Sequence, residues 1–150
     1  DEGGNLAEWW NADDVARYKE RAAKVAQQYS GYAPLPEHTI SGQQTLGENI
    51  SDLAGVKLAY DGLQRALERR PTGKIDNYTP EQRFFLSFAT IWRTKTRNEA
   101  LIDQLRTGNH SPARYRVLGP LANVPEFAQA FNCPVDAPMM RAASEQISIW

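Results

Sequence analysis

The sequence predicts an all-α fold, an irregular multi-helix domain. Apolar residues recur at intervals of three and four along most of the 150-residue chain. No segment alternates apolar and polar residues with a period of two, the pattern of a half-buried strand. The composition, 41% hydrophobic and 23% charged, is that of one ordinary globular domain rather than of a disordered or disulfide-stapled chain.

Two amphipathic helices are predicted in the first half of the chain. The first begins after Asn11, a suitable N-cap, carries Asp13 and Asp14 in its first turn, and ends at Gly31. A loop with two prolines follows. A longer helix is then predicted over residues 45–67, where apolar side chains continue at helical spacing.

The second half of the chain predicts shorter helices. Thr79, Pro80 and Gln82 form a helix start, with an N-cap threonine, a proline at the first helical position and a capping-box glutamine. The phenylalanine-rich segment that follows is apolar on two faces, so we expect this helix to be deeply buried. The remaining predicted helices cover residues 98–105, a turn or two after residue 112, and residues 123–131.

Charge and composition exclude several classes of function. The formal net charge is −1 and no basic face is concentrated, so we expect no nucleic-acid partner. No run of about 18 uncharged apolar residues exists that could span a membrane. Cys133 is the single cysteine, so an internal disulfide or a cysteine cage is impossible. With only two histidines, we do not expect a zinc site built wholly from this chain.

The first candidate cluster is a pair of carboxylates near the start of the long helix. Glu48 and Asp52 are four residues apart and project from one face. Like charges at this spacing destabilise a helix by roughly 0.2–0.5 kcal/mol unless a cation, a metal or a histidine lies against them. Alternatively, Thr45 and Glu48 form a capping box and Asp52 is a solvated surface residue. The residues alone leave both interpretations open, and the frequency of chance motif matches favours the second.

The second candidate cluster follows Gly108. His110 lies in a loop before a predicted helix start, where a donor could stabilise an oxyanion. Arg116 could hold a carbonyl or a carboxylate. The alternative is an exposed loop histidine beside a surface arginine. His38 lies in a proline-containing loop and is interpreted as a loop residue.

Taken together, the two clusters resemble the neprilysin-like zinc metallopeptidases, which include neprilysin, the endothelin-converting enzymes and bacterial oligopeptidases. The resemblance rests on Thr-Leu-Gly-Glu-Asn-Ile-Ser-Asp at 45–52, His-Ser-Pro-Ala-Arg-Tyr-Arg at 110–116, Trp9-Trp10, residues 84–92, residues 127–133 and Ile149-Trp150. It covers essentially the whole chain. It implies that residues 1–150 form the C-terminal part of a zincin (thermolysin-like) catalytic domain, beginning just after an H-E-x-x-H segment.

The resemblance implies one zinc ion as the cofactor. Glu48 matches the third zinc ligand, and the other two would be histidines of the H-E-x-x-H segment upstream. Asp52 matches the carboxylate that orients one of those histidines.

The resemblance also implies how a peptide substrate is held. His110 matches the residue that stabilises the oxyanion, and Arg116 matches the arginine that binds a substrate backbone carbonyl. Ile91 and Trp92 match positions that line the apolar pocket just past the scissile bond.

These matches predict a zinc-dependent metalloendopeptidase as the parent protein, and an inactive chain when it is isolated. The alternative function is a non-catalytic helical binding or scaffold module. The expected partner is the N-terminal remainder of the same protein, and without it we expect exposed apolar surface and self-association. Family members are generally exported, which implies a periplasmic, secreted or membrane-anchored parent. Animal members have cysteines where this chain has Lys24, Arg93 and Ile147, so the resemblance is to a bacterial member.

Overall fold

The computed structural model describes residues 1–8 and 10–149, and over these residues the fold is all-α, as the sequence predicts. Trp9 and Trp150, which contribute to the family resemblance, lie outside the described residues. Among the described helices, none is both long and apolar enough to span a bilayer. The elements are α1 (Ala12–Ser30), α2 (Leu46–Arg69), α3 (Pro80–Ile91), α4 (Asn98–Thr107), α5 (Ala113–Leu121), α6 (Pro125–Phe131) and a 3₁₀ turn (Ala143–Glu145).

Local sequence signals determine where α1 and α3 begin. The side chain of Asn11 accepts a hydrogen bond from the backbone N–H of Asp14 at 2.8 Å. At the start of α3, Thr79 Oγ1 accepts from the backbone N–H of Gln82, while Gln82 Oε1 accepts from the backbone N–H of Thr79. These bonds satisfy amide donors that have no partner within the helix. The predicted helix starts are therefore confirmed, with their capping mechanism.

Helix α3 is less buried than its sequence predicts. Phe85 is its one buried residue, whereas Leu86 is exposed and Ile91 is 70% exposed. The helix packs against α6 and α2 on one side. The expectation of a deeply buried helix is wrong, because most of its apolar side chains are only partly covered by the neighbouring elements.

Two apolar clusters form the interior, and α2 contributes to both of them. Ile50 and Leu53 of α2 belong to the first cluster, and Val56 belongs to the second. The first cluster consists of Ala22, Val25, Tyr29, Ile40, Ile50, Leu53, Ile147 and Ile149. The second consists of Val56, Phe85, Leu121, Val124 and Phe127. Helix α2 is therefore the central element, and α5 is the helix it contacts most extensively.

A buried amide holds the C-terminal segment against the helices. Asn123 Nδ2 donates to Gln28 Oε1 at 2.9 Å and to the carbonyl oxygen of Gly119 at 3.0 Å. Its Oδ1 accepts from the backbone N–H of Ile147 at 3.0 Å. One side chain thus links α1, α5 and the C-terminal segment after the 3₁₀ turn. The sequence of that segment has no clear periodicity.

Gly119 allows α5 to approach α1 closely. A Cβ atom at this position would lie 2.2 Å from Tyr29 Oη and 2.4 Å from Tyr29 Cζ. Tyr29 is buried, and its hydroxyl has no hydrogen-bond partner among the residues that the structure describes. Burial, and to a smaller extent the nearby carboxylate of Asp52, raises the pKa of Tyr29.

Gly119→Ala should lower the free energy of unfolding by about 2–3 kcal/mol, because the added methyl group must displace the buried Tyr29 ring. Gly55→Ala is the matched control on α2, where a Cβ meets nothing within 4 Å. It should stabilise the chain by about 0.5–1 kcal/mol through helix propensity. Denaturant unfolding measures both values, and equal effects of the two substitutions would contradict the proposed close contact.

Tyr29→Phe should leave stability at pH 7 unchanged or raise it slightly, because the hydroxyl that is removed has no described partner. Folding raises the pKa of the Tyr29 hydroxyl above its value of about 10 in the unfolded chain. The free energy of unfolding is therefore independent of this group below about pH 10 and falls as the pH rises above 10, because the unfolded chain then loses the proton more readily. The substitution should therefore flatten the alkaline loss of stability by up to about 1.4 kcal/mol per pH unit. Unfolding curves at pH 7 and above pH 10 measure this, with the exposed Tyr78→Phe as control. Identical curves for wild type and Tyr29→Phe at high pH would refute the prediction.

Candidate active site

The two candidate clusters meet where α2 packs against α5. His110 Nε2 lies 3.1 Å from Glu48 Oε2. Arg116 donates from Nε to Asp52 Oδ2 at 2.7 Å and from Nη2 to Asp52 Oδ1 at 2.6 Å. Arg116 Nη2 also lies 3.9 Å from Glu48 Oε2. Four residues that the sequence singled out in separate segments thus form one site.

Three side chains surround the guanidinium group of Arg116, those of Asp52, Glu48 and Trp92. Its side chain is 15% exposed, and its guanidinium carbon lies 4.0 Å from the centre of the Trp92 ring, a cation–π contact. The hydrogen bonds to Asp52 raise the pKa of Arg116 against the opposing effect of burial, and the charge of Glu48 adds to the increase. The hydrogens on Nη1 take no part in the Asp52 pair. Arg116 is therefore a fixed cation whose Nη1 donors are not used by Asp52.

Glu48 does not cap its own helix. Thr45, the N-cap of α2, makes no side-chain capping bond. Its hydroxyl instead donates to the carbonyl oxygen of Ser41 and accepts from Asn49 Nδ2. The capping-box interpretation of Glu48 is therefore wrong. The Glu48 side chain is 38% exposed and lies beside His110 on an open face.

The contact between Asp52 and Arg116 is the part of the site that sequence reasoning missed. The matches to the family assigned Asp52 to a histidine and Arg116 to a substrate, and neither assignment paired the two with each other. The only sequence signal was indirect, since two carboxylates one turn apart require a cation nearby. The structure shows that Arg116 and His110 supply that positive or donor character.

Trp92 and Ile91 are placed differently. Trp92 lies under Arg116 and also lines a groove of about 620 Å³, whose apolar wall includes Leu86, Val117 and Met139. Ile91 is largely exposed and is not part of this groove. Its assignment to an apolar pocket stays a prediction.

The residues present can supply only part of a zinc site. Within residues 1–8 and 10–149, no group of three or more histidine, cysteine, aspartate or glutamate side chains could hold a metal ion. Glu48 with the adjacent His110 offers at most two donors, whereas zinc in proteins takes three or four protein ligands. The carboxylate of Glu48 is nevertheless of the right chemistry and is open to further donors.

Comparison with known proteins identifies the family. The sequence profile of peptidase family M13 matches residues 1–147. The chain belongs to peptidase family M13. This M13 chain is 38% identical to Neprilysin-3 of Drosophila melanogaster over 154 residues and 41% identical to an endothelin-converting enzyme homolog of Locusta migratoria over 143 residues. These alignments cover 100% and 93% of the chain, but only 19% of each relative.

Solved structures confirm the M13 fold. The zinc metalloprotease Zmp1 of Mycobacterium tuberculosis, solved in complex with an inhibitor, matches with a TM-score of 0.94 and 36% identity. PepO of Lactobacillus rhamnosis matches with a TM-score of 0.84 and 32% identity. Both matches cover 100% of this chain, which spans 24% and 22% of those two chains. The predicted family and the all-α fold class are therefore confirmed.

Asp52→Asn should lower the free energy of unfolding by about 1–3 kcal/mol, because Arg116 loses a charged bidentate partner in a poorly hydrated position. Asp61→Asn, at an exposed position on the same helix, should change it by less than about 0.5 kcal/mol. Denaturant unfolding of the two variants provides the comparison. A loss at Asp52 no larger than that at Asp61 would show that the pair with Arg116 contributes nothing to stability.

Proposed function

We propose that this chain forms part of the active site of a zinc-dependent metalloendopeptidase that acts on peptides. Membership of family M13 supports the reaction class. The single observation that carries the proposal is that Glu48 and His110 meet on an open face beside the pair formed by Asp52 and Arg116. This arrangement joins a potential metal ligand, an oxyanion donor and a fixed cation at one place.

In this proposal, Glu48 provides one ligand of the zinc ion. The incomplete donor set of the described residues supports a site completed by other parts of a longer protein. We propose that two histidines of an H-E-x-x-H segment complete it. When bound, zinc lowers the pKa of its water and polarises the scissile carbonyl.

Arg116 binds the substrate, and Asp52 orients both Arg116 and a metal-binding histidine. Because Asp52 and Trp92 fix the guanidinium group, its Nη1 hydrogens can bind a substrate backbone carbonyl without further ordering. Each oxygen of Asp52 accepts one hydrogen bond from Arg116 and keeps a second lone pair. That lone pair can accept the N–H of an imidazole, which is the support that metal-binding histidines usually have.

His110 acts as the donor to the developing oxyanion. Its side chain is 46% exposed and its Nε2 atom lies 3.1 Å from a carboxylate oxygen, so it can donate a hydrogen bond to an anionic oxygen. A donor held in advance at this position stabilises charge that appears only in the transition state.

The remaining expectations follow from the same proposal. The isolated chain is inactive because it lacks the other zinc donors, and its partner is the rest of the same protein. The exposed apolar residues of α3, Leu86 and Ile91, support a face that the partner covers and through which isolated chains self-associate. The resemblance to exported peptidases supports an extracytoplasmic location.

Glu48→Gln in the full-length protein should abolish zinc retention and lower peptidase activity by at least roughly 100-fold, because an amide oxygen is a much weaker zinc ligand than a carboxylate. Glu68→Gln, at an exposed position on the same helix, is the matched control and should retain both properties. Elemental analysis gives zinc per protein, and a quenched fluorescent peptide reports hydrolysis. Normal zinc content and activity in Glu48→Gln would overturn the assignment.

A further inference from the structure

A buried hydrogen bond joins the two segments of the site immediately behind its exposed face. Ser111 Oγ donates to Asn49 Oδ1 at 2.7 Å, and both residues are 1% exposed. Asn49 directly follows Glu48, and Ser111 directly follows His110. The bond therefore connects the two backbone positions next to the contact between Glu48 and His110.

The Asn49 amide is held in one orientation by its other partner. Thr45 Oγ1 donates its only hydrogen to the carbonyl oxygen of Ser41 at 2.9 Å, so it can only accept from Asn49. Asn49 Nδ2 donates to it at 2.8 Å. This leaves Oδ1 as the acceptor for the hydroxyl of Ser111. The hydrogen bonds therefore run in a single direction, from Ser111 to Asn49, from Asn49 to Thr45 and from Thr45 to the carbonyl oxygen of Ser41.

Other bonds to the His110 loop are more exposed. Gln104 Nε2 donates to the carbonyl oxygen of His110 at 3.2 Å, and Gln44 Nε2 donates to that of Gly108 at 2.7 Å, both at the surface. A buried bond away from competing water is stronger and more costly to lose. Pro112 also restricts the backbone of Ser111 to an extended conformation. The bond between Ser111 and Asn49 is thus the principal anchor of this loop.

We propose that Asn49 and Ser111 are positioning residues for the reaction, holding His110 at the distance from Glu48 that oxyanion stabilisation requires. This inference rests on the proposed function. Neither side chain reaches the open face, since both are buried. They act through His110, and a displacement of the reacting groups by about 1 Å can lower a rate by about 100-fold.

The test uses the zinc-loaded full-length protein. Ser111→Ala should lower kcat by about 10–100-fold, with KM and zinc content changed by less than about twofold. Asn49→Ala breaks the same bond from the other side and should have a similar effect. Because the two residues share one interaction, the double variant should lose no more activity than the more impaired single variant.

Hydrogen–deuterium exchange provides a measurement that does not depend on activity. In Ser111→Ala, exchange should accelerate in residues 108–112 and stay unchanged in α1 and α6. Asn123→Ala is the matched control, because Asn123 is another buried asparagine whose side-chain partners are Gln28, Gly119 and Ile147 and include no residue of the site. It should lower stability without lowering kcat.

The results separate a positioning role of Ser111 and Asn49 from a general loss of stability. Wild-type kcat and unchanged exchange in Ser111→Ala would overturn the positioning role. A loss of kcat in Asn123→Ala as large as that in Ser111→Ala, at a similar loss of stability, would also overturn it, because the effect would then follow from stability alone. Wild-type protein without zinc-dependent hydrolysis would refute the proposed function instead, while the exchange experiment would still test the anchor of the loop.

Discussion

The site depends on the charge balance of two carboxylates that lie one turn apart on α2. Glu48 and Asp52 would repel each other in an isolated helix. Packing α5 against α2 brings Arg116 into a bidentate pair with Asp52 and within 3.9 Å of Glu48, and the preceding loop brings His110 against Glu48. The same Arg116 rests on Trp92 at the end of α3. Packing of the helices and formation of the site are therefore one event, since three elements converge on one guanidinium group.

The polar side chains behind the site, Ser111 and Asn49, are buried and hydrogen-bonded, whereas those at its front, Glu48 and His110, are partly exposed. At the back, Ser111 donates one buried hydrogen bond to Asn49. On the front, the side chains of Glu48 and His110 are 38% and 46% exposed and lie against each other. This contrast fits the half-site that we propose, in which buried hydrogen bonds hold the exposed side chains before further ligands bind.

Local signals could be predicted from the sequence, whereas contacts between distant segments could not. Helix starts such as Thr79 depend on residues three positions apart, so the pattern contains the answer. The role of Thr45 could not be predicted this way, because its hydroxyl accepts from Asn49, whose other hydrogen-bond partner is Ser111, 62 residues away from Asn49. Periodicity likewise identified the apolar faces of α3 but not which face has a neighbour, so the burial of Ile91 was overestimated. Asp52 and Arg116 are 64 residues apart, and although the sequence marked each of them as a candidate, no local pattern could pair them with each other.

The most direct test of this account is the position of zinc in crystals of the zinc-loaded full-length protein, located by anomalous scattering at the zinc edge. We expect a zinc ion about 2.0–2.2 Å from a carboxylate oxygen of Glu48. We also expect His110 to lie nearby without coordinating the ion, and Arg116 still to bind Asp52. A zinc ion bound elsewhere, with Glu48 in contact only with His110 and Arg116, would contradict it.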